Sequence, residues 1–525
     1  MKSRSTARTW VATTLGALSA CAGMQPAFAQ NTAEADAHCA ALATLFLPDT
    51  RVTLAQAIQK PGFTVPGTEA NPVVVPAAFC RVAGTVDPAI NFEVWMPLAN
   101  WNGRFQGVGL GALLGAIQYN PMAASVAKGY AVASTDTGHK SGGGDATWVI
   151  GAGSKLNAGL VNDWAHRGIH EMTVKSKALV NAFYGNPARY SYFTGCSSGG
   201  HQALTEAQRY PEDYDGILAG APANYWTHLQ AGQIAFGLHT RVDPATDLEK
   251  PIDKIPLIHD AALKACDAND GVRDGVIENP LKCDFKPATL LCKGADSASC
   301  LTAPQVQAVE KIYADAKGSD GKSVFPGFAP GSEPGWQRMA SIQVPWAANF
   351  YRYFVFQNPA WNYATLDLVK DVALADRTVG PILNSVNADL GPFAKRGGKL
   401  IQYHGWADWG ISPYNSINYF ESVVAHTNGG HPEVVALPET QKFHRLFMVP
   451  GMEHCRGGPG PDSFDGLGAL ENWVEKGIAP EQIVASKIEG GKVSRTRPLC
   501  AYPKVAKYKG IGSPDEAASF ECAVP

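Results

Sequence analysis

The sequence predicts an α/β protein with a mostly parallel sheet that is interrupted by one long insertion. Strand-like and helix-like segments alternate from about Asn91, and after a break near Asn224 the alternation resumes near Gly398. Such alternation is typical of parallel strands covered by helices. A glycine-rich turn, GCSSGGH at 195–201, separates one of these strands from the next helix. The 525 residues suffice for a large core with an insertion.

The individual elements are read from short apolar runs and from longer amphipathic stretches. Apolar runs bounded by Gly, Pro or Asp predict strands, and a longer amphipathic pattern predicts a helix. The predicted strands lie within NFEVWMPL (91–98), RFQGVG (104–109), YAVASTD (130–136), YSYFTG (190–195), DGILAGAP (215–222), KLIQYHGWAD (399–408) and FHRLFMVPG (443–451). Helices are predicted over about 160–184, 199–209 and 414–426.

The insertion covers about 225–390 and divides the predicted core into 30–224 and 391–525. It holds four cysteines, an acidic loop and an aromatic-rich stretch. Open α/β sheets bind ligands beyond the carboxyl ends of their strands, and the insertion is entered and left from those ends. We therefore expect it to form a lid domain over the functional site.

The first 29 residues read as a signal peptide. Three basic residues within the first eight positions precede a mostly apolar run, and Ala27 and Ala29 offer a small-residue cleavage site. Leu18–Cys21 also fits lipoprotein processing, in which Cys21 would carry a lipid anchor. The sequence thus predicts a secreted or periplasmic protein, with no later apolar run long enough to span a membrane. The net charge of −3 gives no reason to expect a nucleic-acid partner.

Export makes the cysteines informative, because an oxidising compartment favours disulfides. Eleven cysteines minus Cys21 leave ten. Local spacing pairs Cys39 with Cys80, Cys266 with Cys283, Cys292 with Cys300, and Cys500 with Cys522. Cys196 and Cys455 remain, far apart in the chain.

The turn at 195–199 matches G-x-S-x-G with Ser197 at its centre. A serine nucleophile of this kind needs a sharp strand-to-helix turn with glycines where side chains would collide. On such a fold the acid and the histidine follow in that order, and Asp408 and His454 come directly after two late predicted strands. The alternatives are a plain turn, a capping aspartate and a surface histidine; agreement of chain order and strand context favours the triad.

A triad would bring the two remaining cysteines together. If His454 takes a proton from Ser197, then Cys196, just before the serine, and Cys455, just after the histidine, come close enough for a disulfide. The alternative is two unrelated buried thiols. Five disulfides are the simpler expectation in an exported chain.

The segments GCSSGG, HGWAD and PGMEHC together resemble the tannase and feruloyl esterase family. NWNGRFQGVG, EAQRYPEDYDGILAGAPA and ENWVEKGIAP extend the resemblance over nearly all of the mature chain. It implies an α/β-hydrolase core with a lid, acting as a serine esterase on esters of aromatic carboxylic acids. Feruloyl esters are favoured, and gallate esters or a terephthalate monoester are the alternatives.

The resemblance also implies an oxyanion hole. The backbone N–H of Ser198 would supply one donor, and Gly111 or Ala112, in the turn after RFQGVG, the other. The family usually has a further glycine near Ala112, so the space for the acyl group is expected to be smaller here.

The loop CDANDGVRDGVIENPLKC contains three close carboxylates, Asp267, Asp270 and Asp274. A hard cation with oxygen ligands would relieve their repulsion, and the spacing is not that of an EF-hand. A solvated acidic loop is the alternative. The resemblance implies a structural Ca²⁺ here, with the carbonyl groups of Val272 and Val276 completing the ligands.

The insertion also carries an aromatic stripe. Most of its members are expected to form the lid core, and one or two to face the substrate ring; they are Trp336, Trp346, Phe350, Tyr351, Phe354 and Trp361. Arg338 or Arg352 is a candidate contact for a substrate carboxylate.

Two other functional classes are weighed against the esterase. The GVGLG run at 107–111 suggests a dinucleotide-dependent oxidoreductase, but Ala112 stands where the third glycine of G-x-G-x-x-G belongs. A non-catalytic exported binding protein would have no need of a complete triad.

Overall fold

The computed structural model describes residues 32–239, 253–427 and 433–525, together with Met1 and Gly429. The predicted signal peptide and the alternative lipid site at Cys21 lie outside these ranges. No helix within the described ranges is both long and apolar enough to cross a membrane.

A nine-stranded sheet forms the centre of the protein, in the order β1-β2-β3-β5-β4-β6-β7-β8-β9. Its strands are β1 (Thr50–Ile58), β2 (Phe79–Val86), β3 (Ile90–Pro97), β4 (Arg104–Val108), β5 (Ala131–Thr135), β6 (Tyr190–Cys196), β7 (Gly216–Gly220), β8 (Lys399–Gly405) and β9 (His444–Val449). The pairings among β1, β2, β3 and β5 are antiparallel, and all those from β5 through β4 to β9 are parallel. The predicted mostly parallel sheet is confirmed.

Helices cover the sheet and build the insertion. The longer helices are α1 (Thr32–Ala41), α2 (Tyr119–Ala127), α3 (Gly168–Tyr184), α4 (Ser198–Arg209), α5 (Trp226–His239), α6 (Ile255–Cys266), α7 (Ala303–Tyr313), α8 (Val344–Phe350), α9 (Lys370–Thr378), α10 (Pro413–Thr427), α11 (Glu433–Thr440) and α12 (Gly466–Lys476). Strands β5 and β9 are buried along their whole length, because helices cover both faces of a parallel sheet.

Several helix ends follow from local sequence. Gly185 and Gly477 end α3 and α12 in the left-handed conformation, with φ of 72° and 70°, which glycine adopts without a steric penalty. Thr302 and Gln305 form a reciprocal capping box at the start of α7, and the Asp465 carboxylate accepts the Gly468 N–H at the start of α12. Unpaired backbone groups at these ends thereby gain partners.

The chain between β7 and β8 contributes no strand to the nine-stranded sheet among its described residues. It contains α5 to α9 and a small hairpin of Ala316–Lys317 with Ser323–Phe325. A run of helical turns from Trp336 to Val355 packs against α5 and includes two π-helical segments, Met339–Gln343 and Tyr351–Val355. The limits 225 and 390 stay a prediction, because the insertion shares its apolar core with residues outside them, such as Trp164.

Two hairpins follow the sheet. The first pairs β10 (Gln482–Glu489) with β11 (Lys492–Cys500), and the second pairs β12 (Val505–Tyr508) with β13 (Phe520–Ala523). The described residues form five disulfides: Cys39–Cys80, Cys196–Cys455, Cys266–Cys283, Cys292–Cys300 and Cys500–Cys522. These are the pairs expected from the sequence.

Candidate active site

Ser197 lies on a sharp turn between β6 and α4. Its backbone has φ 64° and ψ −120°, a strained conformation for a non-glycine residue. A Cβ on Gly195 would lie 2.4 Å from the Gly199 carbonyl oxygen, so only glycine fits there. The Ser197 N–H donates to the Gly220 carbonyl on β7 at 3.0 Å. The turn therefore presents the hydroxyl at the carboxyl end of the sheet, as in a nucleophile elbow.

Three polar side chains meet at this edge of the sheet. His454 Nε2 lies 2.9 Å from Ser197 Oγ, and His454 Nδ1 lies 2.8 Å from Asp408 Oδ2. The other carboxylate oxygen of Asp408 accepts the N–H groups of Gly410 at 2.6 Å and Ile411 at 2.9 Å. The structure thus brings together the three residues predicted as a triad, in the geometry that a serine nucleophile and its base require.

A second histidine, His404, contacts the same aspartate, and the sequence reasoning missed it. His404 Nε2 lies 3.0 Å from Asp408 Oδ2, and Nδ1 lies 2.7 Å from Ser416 Oγ on α10. The His404 and Asp408 side chains are both fully buried. His404 is the first residue of HGWAD, four positions before Asp408, and this spacing was the only sign of it in the sequence. The turn after β8 is what brings its side chain to the Asp408 carboxylate.

The protonation of the site is set by burial working against charge pairing. Burial alone would raise the pKa of Asp408, but the charge of His454 and the hydrogen bonds from His404 and His454 lower it well below its usual range. Burial likewise opposes protonation of His454, but the Asp408 carboxylate raises the pKa of His454 above its ordinary value. Asp408 is therefore held as a carboxylate beside His454.

A disulfide joins the two loops that carry the serine and the histidine. Cys196 and Cys455 have Cα atoms 6.0 Å apart and are separated by 259 positions in the chain. Cys455 has φ 65°, so the residue after the histidine also lies in the left-handed region. The bond ties the Ser197 loop directly to the His454 loop.

The predicted oxyanion donors all border the cavity beside Ser197. Ser198 begins α4, where the first N–H groups of a helix have no intrahelical acceptor. Among the described residues, the N–H groups of Gly111 and Ala112 also have no hydrogen-bond acceptor. Ala112 has φ 49°, a conformation that glycine adopts more easily. The geometry leaves both Gly111 and Ala112 available.

A cavity of about 590 Å³ opens beside the serine and is lined mainly by apolar groups. Among the described residues its wall includes the aromatic side chains Trp226, Trp346, Phe350 and Trp409, the aliphatic Leu113, Leu114, Leu229, Ile342 and Ile411, and the polar Ser197, Ser198, Gln230, Gln343 and His454. No lysine, arginine, aspartate or glutamate belongs to this described wall. The cavity is of a size that small ligands occupy in proteins.

The aromatic stripe of the insertion divides as expected between core and cavity. Trp346 and Phe350 border the cavity, whereas Trp336, Tyr351 and Phe354 are fully buried in the core and Trp361 packs on Tyr351. Trp226 and Trp409, which also border the cavity, were not on the predicted stripe. Trp226 belongs to α5, a helix buried nearly all round, so its sequence pattern gives no sign of a cavity-facing side.

The candidate carboxylate contacts in the insertion do not reach the cavity wall. Arg338 forms an ion pair with Glu453 at 2.7 Å and stacks over Trp409, with its guanidinium carbon 4.9 Å from the ring centre. Arg352 donates to the Trp361 carbonyl at 3.1 Å. Both guanidinium groups are engaged in these contacts, and a role for either arginine in binding a carboxylate stays a prediction.

The acidic loop at 267–276 is internally hydrogen-bonded. The Asp267 carboxylate accepts the N–H groups of Asp274 and Gly275, each at 3.1 Å, and Asp274 is paired with Arg497 and, at 3.3 Å, with Arg495. Burial, and after it the charges of Asp274 and Asp267, raises the pKa of Asp270 to about 6. The loop thus holds carboxylates whose charges still repel one another despite the arginines.

This loop has the hard oxygen donors that Ca²⁺ prefers, although its carboxylates are not drawn tightly together. Within the described ranges, Asp267, Asp270 and Asp274 do not form a group with oxygens all within 4.8 Å of one another. The sulfurs of Cys292 and Cys300 and a carboxylate oxygen of Asp296 do lie that close together, but the two cysteines form a disulfide with each other and are not free thiolate ligands. The mutual repulsion at Asp270 and the donor chemistry fit a cation at the acidic loop.

The strand order, the elbow and the cavity above it define an α/β hydrolase. Residues 73–523 match the sequence model of the family described as "Tannase and feruloyl esterase". The chain therefore belongs to the tannase and feruloyl esterase family, and it is a carboxylic ester hydrolase.

Individual relatives agree with this assignment. An uncharacterized esterase from Xanthomonas campestris pv. campestris is 38% identical over 94% of this chain and 92% of its own length. A probable feruloyl esterase B-2 from Aspergillus terreus is 35% identical over 86% of this chain and 87% of its own.

Solved structures give the same picture. Feruloyl esterase B from Aspergillus oryzae superposes with a TM-score of 0.84 at 31% identity, covering 93% of this chain and all of that chain. Tannin acyl hydrolase from Aspergillus niger has a TM-score of 0.77 at 23% identity, covering 94% of this chain and 95% of that chain, and shares the fold.

Replacing both Cys196 and Cys455 by alanine should lower both stability and esterase activity. Closing so long a loop restricts the unfolded chain, which the chain-entropy treatment values at roughly 5–6 kcal/mol, and the same bond sets the distance between the serine and histidine loops. Thermal melting and ester hydrolysis measure the two effects. The control is the double alanine variant of Cys292 and Cys300, whose disulfide closes a short exposed loop. This variant should keep its activity. Unchanged activity in the first variant would show that the bond does not position the site.

Proposed function

We propose that the protein is an exported serine esterase that hydrolyses esters of hydroxycinnamic acids, with feruloyl-type esters as the preferred class. The observation that carries this proposal is the contact chain Ser197–His454–Asp408 at the wall of an aromatic cavity that contains no cationic side chain among its described residues. The relatives named feruloyl esterase support the substrate class.

The reaction begins at the serine hydroxyl. Ser197 Oγ attacks the ester carbonyl carbon while its proton passes to His454 Nε2, and Asp408 holds Nδ1–H and stabilises the imidazolium. The tetrahedral intermediate then expels the alcohol, which receives the proton from Nε2. The aromatic acyl group remains as an ester on Ser197.

Water completes the cycle by the same proton path. His454 Nε2 takes a proton from water, the hydroxide adds to the acyl carbon, and collapse of the intermediate returns the proton to Ser197 Oγ and releases the acid. The negative oxygen formed in each step is stabilised by the N–H of Ser198 and by that of Gly111 or Ala112. Each such donor is typically worth about 3 kcal/mol of transition-state stabilisation.

The cavity wall favours a neutral aromatic acyl group over one with a second carboxylate. Burying an unpaired carboxylate costs free energy. Arg338 is not available to pair with it, because its guanidinium group forms an ion pair with Glu453 and stacks on the Trp409 ring. A terephthalate monoester would bring such a charge into the cavity. A galloyl ester is the closer alternative, because its ring is neutral.

Export and a bound calcium ion are part of the same proposal. Five disulfides suit an oxidising compartment, in agreement with the predicted signal peptide at 1–29; lipid attachment at Cys21 is the alternative processing. Asp267, Asp270 and Asp274, with the carbonyl groups of Val272 and Val276, would hold the Ca²⁺. The ion would stabilise the loop by neutralising repelling carboxylates, and it has no part in the reaction.

The triad and the substrate class are tested together with a fluorophosphonate ester probe and a panel of esters. The purified protein should be labelled at Ser197 and should cleave methyl ferulate with a higher kcat/KM than methyl gallate or a terephthalate monoester. The Ser197→Ala variant should take no label and lose at least about three orders of magnitude in kcat, because the nucleophile is missing. Ser422→Ala, a hydroxyl on α10 outside the cavity wall, is the control. Preference for gallate or terephthalate would overturn the substrate class, and labelling without Ser197 would overturn the triad.

Replacing Asp408 by asparagine should slow the reaction and shift its pH dependence. His454 must be neutral to accept the proton, so kcat/KM falls as the pH drops through the pKa of His454, which the Asp408 charge raises. Without that charge the acidic limb should move to lower pH, and kcat should fall by about four orders of magnitude. A pH–rate profile of both proteins measures this, and an acidic limb that stays in place would contradict the assigned role of Asp408.

Removing calcium should lower the melting temperature by several degrees. Since an ion bound only to the folded state stabilises it by mass action, adding Ca²⁺ back should restore the transition, while Mg²⁺ should not. Differential scanning fluorimetry after chelation measures the shift, and elemental analysis should find about one calcium per chain. An Asp267→Asn, Asp270→Asn double variant should show no response to chelation. A purified wild-type protein without calcium, and unaffected by its addition, would remove the proposed site.

A further inference from the structure

We infer that Gln230 recognises a hydroxyl group on the substrate ring and is a specificity-determining residue of this site. The inference rests on the proposed function, because it assigns a substrate contact within the same cavity. It concerns a residue on α5 that belongs neither to the triad nor to the oxyanion donors.

Gln230 is a buried polar side chain whose carboxamide has no hydrogen-bond partner among the described residues. The residue is only 8% exposed and borders the cavity. Within the described part of the chain, no hydrogen bond reaches its carboxamide. An amide buried in this way costs free energy unless something in the cavity pairs with it. A ligand group is therefore expected at this point of the wall.

Helix α5 runs along the cavity wall from the serine loop toward Gly410, because Gln233, three residues after Gln230, donates to the Gly410 carbonyl. The Ala223 N–H donates to the Ser197 carbonyl at 3.1 Å, and α5 begins three residues later at Trp226. Trp226 and Gln230 are one helical turn apart and both border the cavity, so the carboxamide lies about 6 Å further along the helix axis. An acyl group bound to Ser197 would find both Trp226 and Gln230 on the α5 wall of its cavity.

The other cavity carboxamide, Gln343, lies beside His454. A Cβ on Gly410 would be 3.1 Å from Gln343 Nε2 and 3.2 Å from His454 Cγ, so the Gln343 amide is beside the triad histidine. Gln343 is therefore placed to meet the ester end of a substrate. Gln230 remains as the carboxamide of the cavity wall that is available to a polar group on the ring.

The chemistry of an amide selects the group that Gln230 would bind. A carboxamide offers both donors and an acceptor, and a phenolic hydroxyl can donate to the one and accept from the other. A methoxy oxygen and a carboxylate only accept. We therefore assign the Gln230 contact to a hydroxyl on the substrate ring, tested here at the 4-position.

Three substrates that differ only at this ring position test the assignment: methyl cinnamate, methyl 4-hydroxycinnamate and methyl 4-methoxycinnamate. The variant is Gln230→Met, which keeps the length of the side chain and removes its hydrogen-bonding groups. It should lower kcat/KM for the hydroxylated ester roughly ten-fold, because one hydrogen bond in a buried site is lost, and it should leave methyl cinnamate within about three-fold. Gln337→Met, the same change at an exposed position in the insertion, should alter none of the three.

Other results would overturn the inference. An equal loss for all three esters, or no loss for any, would mean that Gln230 does not read the hydroxyl, and a selective loss in Gln343→Met instead would move the contact to the other amide. Gln230→Leu serves if the methionine variant does not fold, and melting temperatures verify folding in each case. Wild-type protein that cleaves none of the three esters would overturn the proposed function and this inference with it, whereas normal cleavage without selectivity would overturn the inference alone.

Discussion

The site depends on the covalent bond between Cys196 and Cys455. The serine loop ends β6 in the middle of the sheet, and the histidine loop follows β9 at its edge, with the whole insertion between them in the chain. One hydrogen bond of 2.9 Å joins the triad side chains of these two loops, and it is worth only about a kilocalorie or two. Two further strands of the sheet lie between the strands that carry them. The sulfur bridge limits how far the loops can separate. The strained conformations of Ser197 and Cys455 can persist because the bridge and the packed glycines around it define the local backbone.

A second layer of polar contacts completes this arrangement. Asp408 is fixed by two backbone N–H groups and by His404, which is itself held by Ser416 on α10. The carboxylate therefore cannot rotate away from His454 without losing several buried hydrogen bonds. In the proposed mechanism these contacts would preorganise the charge that stabilises an imidazolium at His454.

Sequence patterns were sufficient for the fold class and for the residues now found in contact at the sheet edge, because both follow from chain order. A nucleophile after one strand and its partners after two later ones can be read without knowing distances, and the pairing of the two cysteines follows from that proximity.

Gln230, Trp226 and Trp409 could not be found in this way. Helix α5 is buried on nearly every side, so no apolar periodicity reveals which residues face a cavity. The π-helical turn at Met339–Gln343 also shifts the register of the insertion helix, and standard helical spacing does not predict which of its side chains reach the cavity. The contact of His404 with Asp408 was also missed. His404 lies on β8 and Asp408 in the turn after it, and the sequence does not show that this turn brings the two side chains together.

The Ser–His–Asp contact and a large share of the cavity wall come from different parts of the chain. Serine, histidine and aspartate are attached to the sheet, whereas Trp226, Gln230, Trp346 and Phe350 are supplied by the segment between β7 and β8. Substitutions in that segment can change which acid the cavity accommodates without changing the residues of the proposed triad. Divergence among relatives of this kind is thus expected to conserve the type of reaction while changing the compound consumed. Overall sequence similarity within the family is accordingly a better guide to the type of reaction than to the identity of the substrate.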